Sequence, residues 1–169
     1  ATNFLPEKGW PSAEKKRDRT ASAGLMRVSF SADNKNAAKV EVNCETDFVA
    51  KTEDFQNFVQ EIADLALARE ATSAEELTNA KSEGDIPVQD WIKQKIATIG
   101  ENIILRNCVL VQTGELGYIT SYIHSNGKIG VLMELEAGQM ATLENEALAK
   151  IANGLAMHTA AAGPKAVDR

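Results

Sequence analysis

Cysteine is scarce in this sequence and long apolar runs are missing, and each lack closes off a class of protein. Cys44 and Cys108 are the only two cysteines, both in strand-like stretches far apart in the chain. They form no closely spaced framework of disulfides and match no metal-ligand spacing, so two buried thiols in a reducing compartment is the reading they support. No stretch approaches the ~20 consecutive apolar residues that a membrane helix needs. No secretory pattern stands at the start, and the chain opens at Ala1 without methionine, so a processed chain or a fragment is expected. A glycine-rich phosphate loop of the Walker type is also missing, as are tandem repeats and low-complexity tracts.

What is present is the composition of a soluble globular protein, one domain or two small ones: 169 residues, 44% apolar and 25% charged. The net charge of −6 is unevenly placed. Residues 1–30 carry six basic and three acidic groups, and the remainder carries twelve against twenty-one. An acidic body argues against nucleic acid as the main partner, because phosphate binding draws on clustered Lys and Arg. Residues 1–24 read as a connector, with two prolines and two glycines around a basic, helix-compatible stretch from Ser12 to Ala23.

From Leu25 the apolar period is two. Met26, Val28 and Phe30 alternate with polar residues, "SADNKN" supplies turn chemistry, and Ala38, Val40, Val42 and Cys44 then share one face. This is a hairpin with one buried side. Residues 53–69 switch to helical period through Phe55, Phe58, Val59, Ile62, Leu65 and Ala66. A short helix over 74–81 has Ser73 as its cap, and another from Val88 to Ile99 is stopped by Gly100. Three strands follow. Ile103 to Gln112 is apolar on both faces, as a central strand is; Tyr118–His124 and the run from Ile129 flank an Asn126-Gly127 pair, a strong hairpin signal. A last helix is expected from about Leu143 to Ala161. The fold class is α+β: an antiparallel sheet meander plus an N-terminal hairpin, packed against helices.

The junction "NCETDFVAKTEDF", residues 43 to 55, holds an anomaly, because Phe48 stands in a strand-to-helix connection. Asp47 and Thr52 compete as helix starts, and the apolar stripe beginning at Phe55 favours Thr52, with at most one irregular turn before it. Two fates are open to Phe48. Folding back on its own core, like a hydrophobic staple, is the commoner one for a lone aromatic. The other is an apolar anchor for a partner's pocket, with an adjacent carboxylate as in many interface hot spots.

At these residues a family resemblance enters. "VEVNCETDFVAKTEDFQNFV" closely resembles the signature of translation elongation factor Ts, the nucleotide-exchange factor for elongation factor Tu. "KIATIGENIILRN" (95–107), "TSYIHSNGKIGVL" (from Thr120) and "LAMHTAAAGPK" (155–165) resemble further motifs of that family, in family order. The resemblance implies the elongation factor Ts core fold and favours the anchor fate for Phe48. In the family the Thr-Asp-Phe-Val motif, here Thr46, Asp47, Phe48 and Val49, meets the GTP-binding domain of elongation factor Tu. The phenylalanine enters a pocket near the Mg²⁺ and phosphate site. Ile99, Gly100 and Asn102 resemble a second contact region with the same domain. His124, Met157 and His158 resemble positions facing another domain of that partner. Met157 has separate support: at 100° per residue it lies opposite Leu148 and Leu155, on a polar face. His158 falls near the apolar edge, where a packing role is equally open.

The partner so implied is elongation factor Tu, with no cofactor, no membrane and no direct nucleic acid, and with any larger assembly left open. The setting is the bacterial cytoplasm, or the mitochondrial matrix or plastid stroma if the chain is organellar. The division expected is a tail of an N-terminal ubiquitin-associated-like module and connector (1–24), an N-terminal core subdomain (25–100), and the start of a C-terminal core subdomain (101–169). The departures are the missing bulk of that N-terminal module, Pro6 at a position expected to be helical, and a chain that stops before the helical hairpin many members carry. A fragment is inferred, and a docking-only role without exchange activity is its alternative. Two rivals are weaker. A thiol–imidazole site from Cys44, Cys108, His124 and His158 matches no pattern. An RNA-associated module would lean on "EKKRDR", Trp10 and Trp91, which solvated connector charge explains as well.

Overall fold

The computed structural model describes residues 13–82, 84–124 and 127–164. The expectations for Trp10, for Pro6, for the Asn126 half of the hairpin pair and for Lys165 fall outside these residues. Strand β1 (Ala23–Phe30) and strand β2 (Asn36–Cys44) pair antiparallel, with Leu25 opposite Val42 and Ser29 opposite Ala38. The turn between them places Asn34 at φ 55 and is held by Ser31, whose hydroxyl donates to Asp33. Gly24 is required where it stands: at φ 146 any Cβ would lie 2.3 Å from the Val42 carbonyl oxygen.

The helices pack on one face of this sheet. A one-turn helix α1 (Asp47–Ala50) leads into α2 (Glu53–Ala68), followed by α3 (Ala74–Asn79), capped by Ser73, and α4 (Val88–Ile99). Helix α2 lies against β1 and β2 through Phe55, Phe58, Val59 and Ile62, all of them buried with Val40, Val42 and Leu25. Each such large side chain contributes ~1.5–3 kcal/mol by leaving water. Trp91 of α4 meets the Phe58 ring edge-on at 5.1 Å, which joins α4 to the same core.

Strand β3 (Ile104–Gln112) departs from the expectation. It is not the centre of a meander: it pairs antiparallel with β2 and forms the edge of a three-stranded sheet β1-β2-β3. The centre belongs to β2, whose Ala37 and Ala38 are both fully buried although they face opposite ways. On β3, Cys108 points into the core opposite Val40 while Val109 stays partly exposed. Apolar residues on both faces therefore marked a strand covered on one side and only half covered on the other. A bulge leaves Arg106 out of the backbone register, between the Glu41–Asn107 and Val42–Leu105 pairs, with its guanidinium 4.0 Å from the Glu41 carboxylate.

The other two strands make a sheet of their own, β4 (Gly117–His124) with β5 (Ile129–Glu136). It is tied to the first sheet by lysines of the β1–β2 hairpin. Lys35 Nζ donates to the carbonyls of Glu115 and Gly117, each at 2.9 Å, and Lys39 Nζ reaches the Gly130 carbonyl at 3.4 Å. The first sheet thus runs through Gln112. The last helix is in two parts, α5 (Met140–Leu143) and α6 (Glu146–Ala162), because the Asn145 side chain accepts from the Ala147 amide and caps a new start. Helix α6 lies on β4 and β5 and buries Ala152 and Ala156. Leu155, expected on its core side, is 44% exposed, since small residues one turn apart carry the contact instead.

Candidate functional site

The end of β2 and the start of α1 build the site. Thr46 continues the extended backbone of the strand (φ −124, ψ 150), and its hydroxyl accepts from the Val49 amide at 3.3 Å. The cap is thus Thr46, not Asp47, and Asp47 occupies the first helical position, where a carboxylate suits the positive end of the dipole. Six residues on, Thr52 accepts from the Phe55 amide at 3.3 Å and starts α2, as the apolar stripe implied. Its hydroxyl also donates to the Val49 carbonyl at 2.7 Å, which closes the single turn of α1.

Within that turn the side chains divide. Val49 packs on the core and Ala50 is buried, so they perform the stapling. Phe48 points away and is 86% exposed. Among the described residues the largest apolar side chain of the turn is left almost bare, which is not the fold-back arrangement.

A second segment is clasped to the turn. Gly100, in the left-handed region at φ 89, ends α4 and swings the chain round. Glu101 then points at the end of β2. Its Oε2 accepts from the amides of Glu45 (3.1 Å) and Thr46 (3.0 Å), and its Oε1 accepts from the Thr46 hydroxyl (2.7 Å). In return, Glu45 accepts from the Asn102 amide at 2.7 Å and lies 3.7 Å from Arg19. From the remaining side, Lys128 Nζ lies 3.2 Å from the Asp47 carboxylate and brings the start of β5 to the turn.

The ten residues singled out from sequence separate accordingly. Asp47 and Phe48 are exposed; Val49 and Ile99 are half-buried on the core, and Thr46 acts as the cap. Gly100 is half-buried, with space beside it up to the Lys16 ammonium. Asn102 is 3% exposed, and its side-chain amide donates to the carbonyls of Arg17 (3.2 Å) and Arg19 (2.8 Å). It fastens the connector. His124 is exposed beside Tyr122, whose hydroxyl lies 2.9 Å from its Nδ1. Met157 and His158 are exposed on α6, which packs on the β4–β5 pair. Sequence reasoning missed Glu101, Glu45 and Lys128. Glu101 stands inside a quoted motif, but its partners are 55 and 56 residues away.

The cysteines are unsuited to catalysis. Burial pushes both thiols up to about 11, with Glu101 adding to the effect at Cys44 and Glu76 at Cys108. Each thiol is also engaged with a backbone carbonyl, Cys44 with Thr46 and Cys108 with Ala71, both at 3.3 Å. Among the described residues no cluster of metal-ligating side chains forms, and no helix is long and apolar enough to cross a membrane.

The site is thus a turn capped at both ends that presents one bare aromatic beside a carboxylate. Comparison with known proteins narrows this. The model of the family described as elongation factor TS matches residues 45–169. Elongation factor Ts of Clostridium botulinum is 41% identical over 164 residues, 97% of this chain and 52% of the relative. That of Trichlorobacter lovleyi is 39% identical over 171 residues, 100% of this chain and 55% of the relative. That of Pelodictyon phaeoclathratiforme is 38% identical over 172 residues, 100% and 58%. The chain belongs to the elongation factor Ts family, and it spans about half the length of these relatives.

Proposed function

We propose that this chain docks on elongation factor Tu and promotes release of its guanine nucleotide, with Asp47 and Phe48 as the anchor near the Mg²⁺ and phosphate site. The observation that carries this reading is the exposure of Phe48 on a turn whose two ends are both capped. Nothing covalent is required of the chain. It has to bind best to the conformation of the GTPase that holds nucleotide poorly, and by linkage nucleotide then weakens its own binding by the same factor.

The magnitudes assign shares. Burying the Phe48 ring in a partner's pocket contributes ~1.5–3 kcal/mol, and every 1.4 kcal/mol is roughly tenfold in affinity. One ring therefore accounts for a modest part of a large exchange effect. The backbone at Gly100 and the exposed side chains of His124, Met157 and His158 are the further contacts in this reading. Asn102, with Glu101, holds the frame behind them. The source organisms of the relatives favour the bacterial cytoplasm as the setting.

The test is the release rate of a fluorescent GDP from elongation factor Tu, with and without the chain and with Phe48→Ala. Acceleration by the chain that is largely lost in the variant supports the reading. Binding without acceleration reduces the chain to a docking fragment. No binding at all overturns the proposal.

A further inference from the structure

We propose that Glu101 is the positioning residue of the Phe48 turn, and that it fixes the anchor and the Gly100 segment into one preformed surface. The inference rests on the docking role of Phe48 proposed above. A single helical turn does not hold itself together in water, since its nucleus costs more than one hydrogen bond returns. Phe48 adds little to hold it, because its side chain is 86% exposed. Val49 and Ala50 seat the turn on the core, and its two ends complete the hold. The far end is fused to α2 through Thr52. The near end is held by Glu101, whose two oxygens take the backbone N–H groups of Glu45 and Thr46 and the Thr46 hydroxyl.

That last bond has a directional consequence. By donating its proton to Glu101, the Thr46 hydroxyl turns its lone pairs towards the helix, where it accepts from the Val49 amide. Glu101 thus orients the cap that forms the turn. A charged acceptor makes these bonds stronger than neutral ones. Both carboxylate oxygens accept bonds from the end of β2, so Glu101 acts on the anchor through Thr46. The return bond from the Asn102 amide to Glu45 makes the clasp reciprocal and removes freedom that would otherwise be lost on binding.

The experiment compares Glu101→Ala, Glu101→Gln, Phe48→Ala and the double variant Glu101→Ala/Phe48→Ala in the whole chain. Amide hydrogen exchange of the chain alone is one readout, and affinity for elongation factor Tu is the other. We expect Glu101→Ala to speed exchange at Glu45, Thr46 and Val49 by about tenfold or more, with the amides of α2 unchanged. We expect it to weaken binding about five- to twentyfold, with Glu101→Gln between it and the parent because an amide oxygen still accepts. On the Phe48→Ala background the same change should cost less than about twofold, since the group it positions is gone. Unchanged protection at Glu45, Thr46 and Val49 overturns the proposal. So does an equal loss of affinity with and without Phe48, which would mark general damage to the fold. If Glu101→Ala loses the α2 protection as well, Glu101→Gln carries both readouts under the same criteria. If Phe48→Ala alone leaves binding intact, the docking role of Phe48 fails, and with it the positioning role, whatever the exchange rates show.

Discussion

Phe48 and Phe55 are seven residues apart and each sits in the first turn of a threonine-capped helix, yet one is 86% exposed and the other fully buried. The two starts share a local grammar. In each, the threonine hydroxyl accepts from the amide three residues on, an acidic residue follows, and the third helical position turns towards the sheet. That third position is Val49 in α1 and Phe55 in α2. The second position turns outward and is Phe48 in α1 and Asp54 in α2, where the carboxylate pairs with Lys95 at 2.7 Å. Phe48 thus occupies a slot that the neighbouring helix gives to a charge. Its exposure follows from its position in the turn and from no failure of packing.

The largest effect expected breaks the comparison at its buried end. Phe55→Ala should destabilise the fold by ~3–5 kcal/mol, because the cavity lies beneath α2 with Val40 and Ile62 around it. Thermal or urea unfolding measures this, and a loss below about 1 kcal/mol would mean that the core closes over the gap. Phe48→Ala, the same chemical change, should leave the unfolding midpoint within the ±0.5 kcal/mol typical of exposed sites. Its cost should appear in partner affinity, roughly ten- to a hundredfold. A stability loss at Phe48 comparable to that at Phe55 would return the ring to its own core.

The two caps offer a smaller and sharper contrast. Thr52→Ala and Thr46→Ala each remove a cap bond, worth ~1 kcal/mol, together with the hydroxyl's second bond, to the Val49 carbonyl at Thr52 and to Glu101 at Thr46. At Thr52 the loss should fall on global stability, because α2 is the helix that covers the sheet. At Thr46 it should appear mainly as faster amide exchange at Val49 and weaker partner binding, since only one turn depends on it. If both substitutions lower the unfolding midpoint equally, α1 is part of the cooperative core and the distinction between the two starts is lost.

The same contrast measures how much was readable from sequence. Helix α2, the β1–β2 hairpin, the Ser73 cap and the Gly100 stop carry local signals: apolar period, turn residues and capping chemistry. The fate of Phe48 does not, since an outward second position becomes visible only once Thr46 is known to be the cap. The pairing of β3 was hidden for a different reason. A strand with apolar residues on both faces suits the middle or the half-covered edge of a sheet equally, and the twofold period cannot choose between them. Leu155 misled because helix period ranks residues by hydrophobicity, whereas α6 approaches its sheet through Ala152 and Ala156. Glu101 was out of reach altogether: a carboxylate after a helix-stopping glycine reads as solvated until the end of β2 is brought to it.

The smallest expected effect concerns the ion pair between Asp47 and Lys128, the residue just before β5. Both side chains are more than half exposed, at 56% and 53%, so the pair is screened by solvent and contributes within the ~0–1 kcal/mol of surface pairs. Lys128→Ala should therefore leave the unfolding midpoint almost unchanged. What it alters is the charge presented beside Phe48, because it frees the Asp47 carboxylate. Partner affinity should shift by less than about fivefold, and the shift should shrink as salt rises towards 1 M, where the screening length falls to ~3 Å. A change that persists at high salt would show that Lys128 touches the partner directly or packs against it, and the docking surface would then extend from the Phe48 turn onto the start of β5.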